Sequence, residues 1–375
     1  MSVQSPRSRS LGSSSRLARD LRRFLAVASV TLFALMVLTA YLSPFAYMTA
    51  TALKDLEQFS RATGPLWPAR EATHTYEGED ATYPVGDKEV TVRQGEEYPL
   101  YQVPTEEGTR KWALVVKRRE ESFFLDPNHL EQGLIQWAGR WRTLEPVWRF
   151  SPTWNFIEAW ELIKFPRLLR NTAIIAIVGD IGTLLSCTAV AYGFSRFRIP
   201  GKNILFIVLI GTIILPSQVT LVPTYAFFTR IGWTGTFLPL IVPHFFANAY
   251  NVFLLRQYFM TIPRDLDEAA MIDGASPFRV LVSVILPQSI PVLVAVAIFH
   301  LVWAWNDYFQ PYLYLSTRPD LQPISVGIQQ FNTLYAQRPH MVQATSLMGL
   351  LLPVVIFFLA QRAFMRGVVI TGVEK

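Results

Sequence analysis

Asp267, Glu268 and Asp273 stand together with Ala269, Ala270, Gly274, Ser276, Leu286 and Pro287 in one short stretch between two long apolar runs. A carboxylate at Glu268 can pair with a basic group on another protein, and the alanines beside it leave a low surface that a foreign backbone can approach. A second set of polar residues lies inside apolar runs: Asp180, Gln218, Thr220, His244, Asn248 and Asn251. Such groups are costly at membrane depth, and they face a bundle interior or water. A third set, Asn306, Asp307, Gln329, Gln330, Asn332 and Tyr335, surrounds the end of a later run and could meet a delivering protein or a solute.

Several chemistries are excluded. The chain has no G-x-x-x-x-G-K-[ST] loop; Gly201-Lys202 is followed by Asn203, so it cannot cradle ATP phosphates in the usual way. It has no H-E-x-x-H, Cys/His cluster or nucleophile elbow, and its five histidines are scattered, so no metal site and no catalytic residue is expected. The single cysteine, Cys187, permits no disulfide within the chain.

The elements that position these residues follow from the hydropathy. The chain is 51% hydrophobic and only 17% charged, too apolar for an ordinary soluble enzyme. About 20 apolar residues cross a bilayer core, and candidate spans run roughly over 24–49, 172–194, 203–226, 237–258, 289–313 and 345–365. The expectation is an all-α polytopic membrane protein with six transmembrane helices. The first run is too long for a removed leader and is read as retained.

Charge sets the orientation. Arg7, Arg9, Arg16, Arg19, Arg22 and Arg23 precede the first span; Arg196, Arg198 and Lys202 follow the second. Arg256, Arg264 and Arg279 flank the acidic stretch, and Arg362, Arg366 and Lys375 close the chain. The opposite side offers only Arg230, Arg318 and Arg338 in its short loops. Both termini and the acidic stretch are therefore expected in the cytoplasm, which accounts for the net charge of +6 without nucleic acid. Lys164, Arg167 and Arg170 stand on the wrong side, but they follow a long translocated segment, which largely escapes the rule.

Residues 1–20 are rich in Ser and Arg without apolar periodicity and read as a disordered tail within a basic segment, 1–23, ahead of the first span at 24–49. Residues 53–151 carry short β-branched runs, KEVTV and KWALVV among them, between Gly, Pro and acidic turns. They read as a small, mostly β insert outside the membrane, with a loop lacking fixed structure as the other reading. Over 152–170, Trp154, Ile157 and Trp160 share one side of an interfacial approach helix. Residues 171–370 form the core with five spans, and 371–375 a cytoplasmic end. No repeat of 20–50 residues is evident.

Within 263–287, Pro263 suits a first helical turn, and Asp265, Asp267 and Glu268 complement the helix dipole. Gly274 fits a left-handed C′ position, Ser276 can cap a second helix begun by Pro277, and Phe278, Leu281 and Ile285 recur on one face. Pro287 then bends or stops the chain. The expectation is two short helices, lying along the membrane surface, joined by a sharp turn.

The spacing Glu268-Ala269-Ala270, three residues, Gly274, nine residues, Val284-Ile285-Leu286-Pro287 resembles the EAA loop of ABC-importer permeases, with Val284 where Ile is usual. RQYFMTIPRDLDEAAMIDGAS, WNDYFQPYLYL and RGVVITGVEK are similar to the sugar-importer branch, the maltose-importer type. The resemblance covers the first span and about 152–375, but not the 53–151 insert. It implies a type I ABC importer permease-like fold and a coupling loop, 263–287, that docks on a cytoplasmic ATPase subunit, with Glu268 pairing and Gly274 turning. It implies that ATP and Mg are held by partner subunits and none by this chain, which is a transport subunit rather than an enzyme. It further implies a second homologous permease, two ATPase subunits, an extracytoplasmic solute-binding protein and a bacterial or archaeal plasma membrane. Sugar or oligosaccharide import by alternating access is the leading expectation.

The intramembrane residues keep two readings each. Asp180 lines the pathway or pairs structurally, with proton coupling as a third option. Pro216, Gln218, Thr220 and Pro223 mark either a broken helix lining a cavity or a plain kink. His244, Asn248 and Asn251, taken as one helix face, either meet sugar hydroxyls or bond a neighbouring helix. Asn306 and Asp307 match the W-N-[DE] pattern of the resembled family. An ion-coupled secondary transporter using Asp180 is the alternative function. A membrane-anchored sensor would leave the later spans without a purpose.

Overall fold

Each apolar run folds as helix, since no other single segment satisfies its own backbone in lipid. The computed structural model describes residues 13–61, 64–86, 88–106, 108–333 and 336–369. Expectations for 1–12, Tyr335 and 371–375 lie outside the described residues.

Helix α1 spans Ser13–Ala52 and, up to Thr51, belongs to a unit of its own. Its apolar side chains, Phe24, Val30, Phe33 and Leu38 among them, are exposed, as lipid-facing residues are. Residues 13–20, expected as part of a disordered tail, are helical. The first apolar run propagates helix back into the Ser/Arg segment, where a formed helix adds residues cheaply.

The second unit begins at Ala52 and holds both the insert and the core. The short helix α2, Leu56–Ser60, opens the insert, and ten strands follow: β1 Ala69–Glu71, β2 Thr73–Thr75, β3 Ala81–Val85, β4 Lys88–Val92, β5 Glu97–Thr105, β6 Gly108–Lys117, β7 Glu121–Leu125, β8 Leu134–Ala138, β9 Glu145–Pro146 and β10 Trp148–Phe150. The main sheet is antiparallel in the order β2-β5-β6-β7-β8, with β9 also on β5; β3 and β4 form a hairpin, and β1 pairs with β10. Period-2 alternation divides its side chains into two buried clusters. Tyr101, Trp112, Leu114 and Phe124 pack together, while Ala113 joins Tyr76, Val92, Tyr98 and Leu125 in the other. The mostly β reading of 53–151 therefore holds over the looser alternative.

The core follows: α3 Trp154–Leu162, α4 Phe165–Arg196, α5 Lys202–Gly211, α6 Ser217–Arg230, α7 Leu238–Ile241, α8 Ala249–Thr261, α9 Arg264–Ile272, α10 Pro277–Val280, α11 Leu286–Gln288, α12 Ile290–Asn306, α13 Phe309–Tyr314, α14 Ile324–Gly327 and α15 Pro339–Val369. The approach helix is shorter than expected. Lys164 takes a left-handed backbone (φ 53°) and Pro166 starts a new helix, so α4 begins at Phe165 rather than near 172. Trp154, Ile157 and Trp160 are exposed as a set.

Four helical segments are long and apolar enough to cross a membrane: Asp20–Ala52, Phe165–Arg196, Leu238–Thr261 and Pro339–Gln361. Two bent pairs could each make one more. Lys202–Ile214 meets Gln218–Arg230 at 96°, and Pro277–Gln288 meets Ile290–Asn306 at 81°. The described helices therefore give four to six spans against the six expected. The fifth run stops at Asn306 rather than 313, because Asp307 turns the chain into α13.

Three packed clusters hold the core, one of them joining Ile175, Phe228, Leu240, Tyr314 and Leu315. Leu168 and Ala176 of α4 meet Ala304 and Trp305 of α12 and Met341 of α15. Cys187, Ala191 and Tyr192, further along α4, meet Val252, Leu255 and Phe259 of α8 with Val280, Ile285 and Val296. The last of these carries the acidic stretch.

Candidate functional site

The acidic stretch is built as expected in its turn and differently in its flanks. Gly274 has φ +82°, a conformation that glycine takes without a Cβ penalty. Ala275 N–H donates to Ala270 O at 3.0 Å and Gly274 N–H to Met271 O at 3.0 Å. These two bonds are a Schellman closure, which satisfies the last carbonyls of α9. Ser276 Oγ then accepts from Arg279 N–H at 3.3 Å, with Pro277 at the first position of α10. Pro263 stands at the N-cap of α9, one place earlier than expected.

The single face assigned to Phe278, Leu281 and Ile285 does not exist. Leu281–Ile285 widens into a π-helical turn, which shifts the angular register. Ile285 and Val280 are buried, while Phe278 is 73% exposed. The bend falls at Ser289, just beyond Pro287.

One side of the helix pair is clamped to the end of α4. Arg196 Nε lies 2.8 Å from Asp267 Oδ2 as an ion pair, and Arg196 Nη2 donates to Ile262 O at 3.0 Å. Tyr192 Oη donates to Pro277 O at 2.9 Å, so α4 holds both helices. Burial raises the Asp267 carboxyl above the ordinary carboxylate range, although the guanidiniums of Arg196 and Arg264 pull the other way. Asp267 is thus spent inside the chain. Away from this clamp Ala269, Ile272 and Phe278 are exposed, Ile272 at 86%, while Glu268 and Met271, also exposed, border a cleft beside Tyr192, Arg196 and Asp267. Asp273 is also exposed, and Ala270 and Leu286 are half-buried.

Of the intramembrane polar residues, all but Asp180 line one or both of two cavities. Pro216 caps α6 after a break, so the broken-helix reading of the third run holds. The first cavity, about 700 Å³, has Gln218, Thr220, His244, Trp303, Asp307 and Tyr314 among its walls. The second, about 530 Å³, includes His244, Asn248, Asn251, His300 and Trp303. His244 and Trp303 belong to both.

His244, Asn248 and Asn251 do not share one helix face, contrary to expectation. The chain leaves helix at 246–248, and Asn248 caps α8, its Oδ1 accepting from Asn251 N–H at 2.9 Å. The three meet at a cavity wall because the helix is broken there. Asp180 lines neither cavity; its Oδ1 is buried without a hydrogen-bond partner among the described residues.

Asp307, expected on the outer face, borders the first cavity and accepts from Gln310 N–H at 3.3 Å. Asn306 bonds back to Val302 O at 2.8 Å and does not line that cavity. Gln329, Gln330 and Asn332 are exposed.

Sequence reading missed His300 and the pairing of Arg196. His300 sits with its ring 4.6 Å from that of His244 and its Nδ1 3.3 Å from Thr183 Oγ1. An ionisable residue in the run IFHLVWAW was the available signal. From spacing alone, Arg196 reads only as a topology-setting charge.

Residues 181–369 match the family described as "Binding-protein-dependent transport system inner membrane component". The chain belongs to this family. This permease is 30% identical over 206 residues to the osmoprotective compounds uptake permease protein GgtD of Synechocystis sp., covering 55% of this chain and 69% of that one. It is 32% identical over 242 residues to the sn-glycerol-3-phosphate transport system permease protein UgpE of Pectobacterium atrosepticum, covering 63% and 82%. A solved structure of a bacterial ABC transporter "involved in the import of the acidic polysaccharide alginate" aligns with a TM-score of 0.60 at 15% identity, over 95% of this chain and 100% of that one, which shows a shared fold. The chain is thus an ABC importer permease subunit and an inner-membrane component, not an enzyme; ATPase activity lies in partner subunits. The match starts within α4, so α1 and the insert lie outside it.

Proposed function

We propose that this permease moves a sugar or oligosaccharide inward by alternating access, powered by nucleotide-driven closure of an ATPase that grips 263–287. One observation carries the reading: the helix pair is fastened to α4 by Asp267–Arg196 and leaves Glu268, Ile272 and Phe278 exposed. Force applied to the exposed side passes through a buried ion pair into a membrane helix whose Gly179 and Thr183 pack against His244 and His300 of the cavity walls. A rigid connection of this kind lets an outside event bias two arrangements of a bundle.

In this reading the termini, 1–23 and 371–375, and the loop 263–287 are cytoplasmic, and the insert 53–151 lies outside. The core 171–370 carries five spans and α1 the sixth. The working assembly adds a second homologous permease, two ATPase subunits carrying ATP and Mg, and an extracytoplasmic solute-binding protein, in a bacterial or archaeal plasma membrane. Gln218, Thr220, His244, Asn248 and Asn251 border the solute path, with Asp307 towards its outer end. Asp180, away from both cavities, fits a structural role better than ion coupling.

The test is co-purification and uptake. An ATPase should travel with the wild-type chain, and Glu268→Ala with Gly274→Pro should abolish ATP-driven uptake. No bound ATPase, or full uptake by the variant, overturns the reading.

A further inference from the structure

Lys117, Arg118, Arg119, Arg140, Trp141 and Arg142 line a cleft of about 630 Å³ on the insert. Two segments converge there: the turn between β6 and β7, and the chain after β8. Gly139 N–H donates to Glu120 O at 2.9 Å and ties them together.

Trp141 organises the cations around it. Lys117 Nζ lies 5.1 Å from the indole centroid and the Arg142 guanidinium carbon 5.4 Å, while the indole packs edge-on to Tyr101 at 6.0 Å. With cations against it, the ring holds charge in position. Arg118 is already committed, pairing with Glu121 at 2.8 Å and donating to Val85 O at 2.8 Å. Lys117, Arg119, Arg140 and Arg142 form no ion pair among the described residues.

Like charges gathered in one concavity repel each other and concentrate anions there. Guanidinium forks match the two oxygens of a carboxylate, so several of them favour a ligand with repeated oxyanion groups. A membrane surface is a poorer occupant. None of the exposed large apolar side chains lines the cleft, whereas lipid-binding faces set apolar residues beside their cations.

We infer that this cleft binds a short acidic oligosaccharide through its carboxylates, outside the membrane core. The polyanion half of this assignment rests on the cleft alone; the saccharide half rests on the import reading above.

The test uses the full chain in detergent, titrated calorimetrically with trigalacturonate, maltotriose and tripolyphosphate. Trigalacturonate should bind and weaken as salt rises, and maltotriose should not bind. Arg140→Gln with Arg142→Gln should weaken binding by about tenfold for each guanidinium removed, and Arg140→Lys with Arg142→Lys by less. Both arginines are exposed, so an unchanged circular dichroism spectrum certifies the fold. Equal binding of maltotriose, or undiminished binding by the Gln variant, overturns the proposal. Binding of tripolyphosphate alone sinks the saccharide assignment, and binding only to vesicles of anionic lipid makes the cleft a headgroup site instead. None of these measurements involves the ATPase, so failure of the coupling reading would register separately.

Discussion

Arg196 Nε and Asp267 Oδ2 stand 2.8 Å apart with their side chains only 7% and 9% exposed, joining the end of α4 to α9. Removing Arg196 leaves the Asp267 carboxylate buried without its ion-pair partner, with only the more distant Arg264 to offset it. Arg196→Met is expected to destabilise the purified chain by about 3–5 kcal/mol, whereas Arg196→Met with Asp267→Leu should recover much of that loss. Thermal unfolding in detergent measures both. Equal losses in the single and double variants would show that the pair does not act as a unit.

Gly274 has open space where a Cβ would go, so substitution there acts through the backbone alone. Gly274→Ala is expected to cost about 1–2 kcal/mol through its positive φ, and Gly274→Val more. Faster hydrogen exchange over α9 and α10, with the rest of the chain unchanged, would report it.

Ile272 is nearly free of intrachain contact, so Ile272→Ser should shift stability by no more than about 0.5 kcal/mol. The same change should weaken retention of the ATPase on a purification column. Unaltered retention would remove Ile272 from the docking patch.

Gly179 lies where α4 faces the histidine pair. A Cβ there would stand 3.0 Å from His300 Nε2 and 3.2 Å from His244 Cδ2. Gly179→Ala should displace both rings and reduce uptake, and Gly179→Ala with His300→Ala should regain part of it. Uptake assays on the two variants decide the matter; no loss in the single variant would mean the rings yield freely.

Asp126 makes the insert sensitive to acid. Burial disfavours its charged form, but the Asn128 N–H at 2.9 Å and His129 Nδ1 at 3.4 Å outweigh that and hold the carboxyl below its usual range. Its stabilisation is complete above the unfolded value of about 3.9 and fades as pH falls through the lower folded value. Protection of β6 and β7 from hydrogen exchange should therefore drop as pH goes below about 4, and Asp126→Asn should flatten that dependence.

The sequence by itself determined what depends on near neighbours. Apolar length made the helices, Gly274 and Ser276 set the turn and cap between α9 and α10, and alternation made the insert β. Each follows from φ, ψ or periodicity within a few residues, and the family resemblance rests on the same local spacing. Only the tertiary structure decided which acid faces inward. Asp267 and Glu268 are adjacent and chemically alike, and they differ because Arg196 of α4 pairs with Asp267 while Glu268 stays exposed. His244, Asn248, Asp307 and the unforeseen His300 likewise meet at cavities formed by helix breaks. Periodicity assumes an unbroken helix and cannot anticipate such meetings. Pairings across long stretches of chain depend on how helices cross, and that is a property of the packed bundle.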